Sequence, residues 1–131
     1  MLSKVASILF LLTSVVIGLG AFGHDSNSAK LSAEFAKFPA FDARTESIII
    51  AVWHFCSGCM LVFGAILVST WWRVRNGARD VFFAPYAIGV FYITAGALSV
   101  LHTGVAFFWL FVALGVVLIA ASLILHKSAK A

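Results

Sequence analysis

Charged side chains are absent from four long stretches of the chain, residues 5–23, 47–72, 81–101 and 103–125. Within each stretch apolar residues run almost unbroken, with neither the alternation of a half-buried strand nor the polar stripe of a soluble helix. About 20 such residues in helical form cross the hydrocarbon core of a bilayer. The pattern predicts an all-α membrane protein. Its four transmembrane helices fall over residues 5–23, 43–72, 81–101 and 104–125, as an antiparallel bundle in one membrane domain spanning residues 1–131.

Polar residues concentrate between the first two spans, in an outer segment over residues 24–42. It opens with His24-Asp-Ser-Asn-Ser, a loop or helix-start composition. Leu31, Phe35 and Phe38 then recur at helical spacing, with Lys30, Glu34 and Lys37 between them. This predicts a short amphipathic helix at the membrane interface, stopped by Pro39. Asp42 is placed to cap a second span that starts near Ala43. Asn76-Gly77 marks a tight turn between spans two and three, and His102-Thr103-Gly104 a very short one between spans three and four. Pro85 falls in the first turns of span three, where its missing N–H costs nothing.

Composition agrees: 63% of residues are hydrophobic, 11% are charged, and mean hydropathy is +1.07. The net charge is +4, and its placement favours membrane retention over nucleic acid. Lys4, Arg73, Arg75, Arg79, Lys127 and Lys130 share one side if every span crosses. Between spans one and two, three cations stand against Asp25, Glu34, Asp42 and Glu46. Short basic loops stay cytoplasmic, so both termini are read as inside a bacterial inner membrane. A secretory signal is the competing reading of the first span. Lys4, the apolar run and Ala21-Phe22-Gly23 fit one, and its cleavage would expose His24 and leave three spans.

Few groups can carry chemistry. No Asp, Glu, Lys or Arg lies within a charge-free stretch, which argues against an ion or organic-acid transporter. His54 is the ionisable exception in span two, on one face with Ser47, Ala51, Ser57, Gly58 and Ala65. Small residues let helices approach, so this face is expected inward, with His54 bonded to Tyr92, Thr94 or Ser99. The topology gathers His24, His54 and His102 near the outer surface, where imidazole and carboxylate together suit zinc or copper. His54 and His102 can alternatively clamp a haem b between two helices. A third possibility is a small apolar molecule such as a quinone, with His54 and Tyr92 as its polar contacts. His126 is read as an exposed residue at the cytoplasmic end. Cys56 and Cys59 form a C-x-x-C pattern beside Val52, Phe63 and Ile66, on the bulkier face, and are read as inert packing. Met60 is read as a filler. Gly89, Gly96, Tyr92 and Ser99 form a packing stripe in span three, and Ala106, Ala113 and Ala120 one in span four. Phe107, Phe108 and Trp109 look like an interfacial anchor.

The layout, with Arg44 leading to Trp53-His54, a polar outer segment and a closing hairpin, is similar to small four-span bacterial inner-membrane proteins of unassigned function. The motif that carries the resemblance is Ala51-Val52-Trp53-His54. It implies no catalytic residues. The sequence therefore points to an accessory or interaction protein rather than an enzyme, with the bilayer as solvent and a membrane-protein partner or homo-oligomer as its company. Cysteine labelling of intact cells tests the threading. A thiol placed at Asn27 is expected to react from outside and one at Asn76 to stay protected; the reverse pattern inverts the topology.

Overall fold

A computed structural model of the protein describes residues 2–38 and 42–130, the last two of these by backbone alone. Every regular element among them is helical. α1 covers Leu2–Asp25, α2 Ser28–Phe35, α3 Ala43–Arg75, α4 Phe83–Thr103 and α5 Trp109–Lys130, with a single 3-10 turn at Ala106–Phe108 before α5. Four of these helices are long and apolar enough to cross a membrane.

The boundaries follow local chemistry. Asp42 caps α3 as expected, its carboxylate accepting from the Thr45 N–H at 2.6 Å. That bond holds the Asp42 carboxyl below the usual carboxylate range, because the donated hydrogen bond favours the charged form. α3 stops at Arg75, where Asn76 forms the C-cap and Gly77 takes φ +90°. α4 begins two residues later than expected, because Val81 and Phe82 are buried in non-helical backbone ahead of it. It ends at Gly104, which adopts the left-handed conformation and donates to Val100 O at 2.8 Å. α2 is the expected short amphipathic helix. It buries none of its residues and packs on α3. Pro39, its expected stop, lies outside the described residues.

Two helix pairs are closely zipped. On α1 and α3, Gly18 faces Gly64 so tightly that a Cβ on Gly64 would lie 2.4 Å from Gly18 Cα. Tryptophans pin both ends of this seam. Trp71 Nε1 donates to Ser7 O at 3.1 Å and to Ser7 Oγ at 3.0 Å, and Trp53 Nε1 donates to His24 O at 2.8 Å. On α4 and α5, Gly89 faces Gly115 and Ile119, Gly96 faces Val112 and Phe108, and Tyr86 Oη lies 3.2 Å from His126 Nδ1. His126 is therefore half-buried and stacked on Phe82 at 4.7 Å, rather than free at an exposed end. α1 packs against α5 and joins the pairs, with Ala6, Phe10 and Ile17 contributing to one core with Leu118, Ala121 and Leu125. α3 and α4 meet sparsely.

Two packing expectations change. Ala106, Ala113 and Ala120 are exposed; α5 turns Gly115, Leu118 and Ser122 inward instead. The inward face of α3 runs through Ser57, Gly64, Leu67 and Thr70, so Ser57 was assigned correctly while Ala51, Gly58 and Ala65 are exposed.

Backbone cannot retreat as a flexible side chain can. Gly64→Ala is therefore expected to cost about 1–3 kcal/mol and to lower the thermal midpoint in detergent. Gly58→Ala, whose Cβ meets nothing within 4 Å, should melt at or above wild type, since alanine is the better helix former. Equal midpoints for wild type and Gly64→Ala would refute the close approach.

Candidate functional site

At the end of α1, His24 and Asp25 meet Trp53, His54 and Ser57 of α3. His24 stacks on the Trp53 indole with ring centroids 3.9 Å apart and planes 16° apart. Its Nδ1 lies 2.9 Å from Ser57 Oγ, and that hydroxyl donates to Trp53 O at 3.2 Å. Nδ1 is thus the His24 ring nitrogen engaged with the Ser57 hydroxyl. Beside it, His54 Nδ1 lies 2.6 Å from Asp25 Oδ1. An ionised carboxylate only accepts, so this ring nitrogen carries the hydrogen. Both partners of that pair are about half exposed, at 49% each. Ser26 and Asn27 finish the layer by donating to Gly23 O at 3.0 and 2.7 Å.

Below this layer lies a half-open apolar cleft, its smaller lobe between α1, α3 and α5 and its larger lobe where α3 and α4 meet sparsely. Its two lobes measure about 430 and 520 Å³, within the range of small-molecule sites. His24, Trp53, Met60, Tyr92, Phe107 and Phe111 line both lobes. The larger lobe adds Cys56, Cys59, Phe91 and Ser99. Phe63 and Phe91 close one side edge to face, with centroids 5.6 Å apart. The walls are thus aromatic rings and thioether, with polarity confined to a few atoms.

Tyr92 lines both lobes, with its hydroxyl oxygen covered rather than open on their surface. The residue is 3% exposed, and its hydroxyl is buried without a hydrogen-bond partner, the one such side-chain atom among the described residues. Buried polar groups are almost always paired, and an unpaired one costs about 1–3 kcal/mol. Phe91 and Phe111 flank the ring at 6.1 and 5.8 Å.

The sequence-derived candidates separate here. Tyr92 and His24 share the cleft. His54 does not line it; it reaches α1 through Asp25 instead of bonding to α4. His102 stays on its own helix, its Nδ1 2.8 Å from Leu98 O, and also stands outside the cleft. No three His, Cys, Asp or Glu side chains among the described residues come together as a metal site, so His24, His54 and His102 do not assemble as one. The pairing of His54 with His102 around a haem likewise has no shared cleft. Trp53, Met60, Phe107 and Phe111 were not singled out as cleft residues, and Cys56 and Cys59 were assigned to a bulky inert face.

The unpaired hydroxyl yields a stability prediction. Tyr92→Phe removes the unmet polar atom and keeps the ring. It is expected to raise the thermal midpoint of ligand-free protein, by an increment of about 1 kcal/mol. A lower midpoint would mean that the hydroxyl is paired in the resting protein.

Comparison with known proteins finds no matching family model, no matching curated protein and no matching solved structure.

Proposed function

We propose that the protein is an integral protein of the bacterial inner membrane that binds a flat apolar molecule of the quinone class in the cleft between α3 and α4. The observation that carries this reading is the buried, unpartnered Tyr92 hydroxyl within an aromatic cleft. A quinone matches it on both counts. Its ring and tail find favourable company among Phe, Trp and Met, and its carbonyl accepts the hydrogen that Tyr92 has to donate. His24, at the mouth, offers a second polar contact. The polar contact expected of His54 passes to His24, which lines the cleft.

Antiparallel threading with both termini cytoplasmic accompanies this reading. It is supported by the basic residues in the 73–79 loop and at both ends, and by the order of contacts along each pair. Ser7 meets Trp71 while His24 meets Ser57, and Tyr86 meets His126 while Gly96 meets Phe108. The polar layer of His24, Asp25 and His54 then lies at the outer surface. α2 rests at that interface.

A second reading has its own observation. α3 is the least buried of the four long helices and exposes Ile48, Val52, Phe55, Val62 and Ile66. Lipid or a partner subunit covers that surface. In the latter case the chain is an accessory subunit of a larger membrane complex or one copy of a homo-oligomer.

Ligand titration tests the cleft. A fully substituted benzoquinone should quench the fluorescence of purified protein saturably, and the quench should vanish in Trp53→Phe. Tyr92→Phe is expected to weaken binding by up to about tenfold, the value of one hydrogen bond. Ala95→Phe, which fills the larger lobe, should abolish it. No saturable quench, or equal affinity in Ala95→Phe, would overturn the reading; a single co-purifying subunit on α3 would favour the accessory role.

A further inference from the structure

We infer that Cys56 and Cys59 are a redox pair that passes two electrons to a quinone held in the cleft. The inference rests on the cleft-binding reading and adds a reaction to it. Both cysteines are free thiols, and both line the larger lobe together with His24 and Tyr92. Packing against lipid, the role their bulky neighbours imply, would have turned them away from it.

Three geometric facts bear on the pair. First, residues three apart on an α-helix have Cα atoms roughly 5 Å apart, inside the range that a disulfide bridges, and Cβ atoms about 5–6 Å apart, so closing the bridge draws that turn of α3 together. Secondly, the two thiols differ in access. Cys56 is exposed and Cys59 is half-buried, so Cys56 is the one that an outside thiol reaches. Thirdly, they are shallow. α1 ends where Asp25 meets His54, and Cys56 and Cys59 follow His54 on α3 by two and five residues. At the helical rise this puts them about 3 and 7.5 Å below the polar layer.

The chemistry balances with the quinone as oxidant. Both S–H bonds break and one S–S bond forms between Cys56 and Cys59. Two electrons and two protons pass to the quinone, whose carbonyls become the hydroxyls of the quinol. The thiolate is the reacting form. His24, which lines the same lobe, serves as the base, and the Tyr92 hydroxyl donates to the carbonyl oxygen that gains charge. A small thiol from outside attacks the bridge at Cys56; a second thiol resolves the mixed disulfide, leaving both cysteines reduced and the two outside thiols joined.

The test uses the full chain in detergent, reduced, freed of reductant and held without oxygen. A fully substituted benzoquinone is added, which cannot form thiol adducts at a vacant ring position. Wild type is expected to lose both maleimide-reactive thiols and to yield one equivalent of quinol by its ultraviolet absorbance. Cys56→Ser and Cys59→Ser should each still quench on quinone addition yet give quinol more slowly by at least an order of magnitude. Ala95→Phe should slow it to the same extent. Quenching with both thiols still reactive would overturn the redox pair and leave the cleft reading standing. Absence of both quenching and oxidation would remove the two together. Oxidation at an unchanged rate in Ala95→Phe would place the reaction in bulk solvent and overturn the inference.

Discussion

Gly18 and Gly64 bring the backbones of α1 and α3 into contact, and much of the architecture depends on that approach. Where lipid is the solvent, apolar surface gains nothing by meeting apolar surface, so helices are held by close packing and a few directed bonds. The glycines give the packing, and Trp71 and Trp53 give the bonds at either end. Gly89, Gly96 and Gly115 do the same for α4 and α5. Once both pairs are zipped, the bulky residues between them decide how the pairs dock. Phe10, Ile17 and Leu118 are fully buried where α1 and α5 dock. The α3–α4 side has no equivalent small-residue stripe, and its rings hold the helices apart. The cleft is the geometrical remainder of three satisfied seams.

Helix length sets where that cleft lies. At 33 residues α3 is about 50 Å long, well beyond the hydrocarbon thickness, while α1 ends level with His54. Roughly the first 16 Å of α3 therefore run past the end of α1, where α2 packs on it. The polar layer forms at the step. His24 stacks on Trp53, and Asp25 engages His54, because the chain must leave α1 there and its polar residues need partners. Their hydrogen bonds hold the mouth of the cleft in shape while the walls below stay apolar.

Much of this was legible in the residues. Runs without charge gave the four long helices, Asp42 gave a start, and Asn76-Gly77 gave a turn, because each is a local property. Gly89 and Gly96 were legible as a contact stripe for the same reason. The polar layer was half legible: three histidines were expected near one end, yet His54 was assigned to the wrong partner. Stepping around α3 from His54 centres the inward face about one residue away from the line of Ser57, Gly64 and Leu67 that Gly18 selects. The cleft itself was not legible, since it records contacts that α3 and α4 do not make. Cys56 and Cys59 fell on a bulky face in the helical projection, and only the docking of α4 turns that face into a wall.

On the proposed reading, the Tyr92 hydroxyl gives such a wall its use. A phenylalanine would fill the same volume between Phe91 and Phe111 without burying an unmet donor, and by elementary energetics it would give the more stable bundle. A tyrosine there costs stability in the resting protein, and under the proposed function that cost would be recovered on entry of an acceptor. The hydroxyl would then discriminate. A hydrocarbon of the same shape leaves it unpaired and gains only contact, whereas a carbonyl compound gains contact and relieves the donor. Selectivity of this kind needs one buried polar atom in an apolar enclosure rather than a charged site. It suits a chain whose charge-free stretches contain no Asp, Glu, Lys or Arg, because ionised groups at that depth would demand partners that four helices have no room to supply.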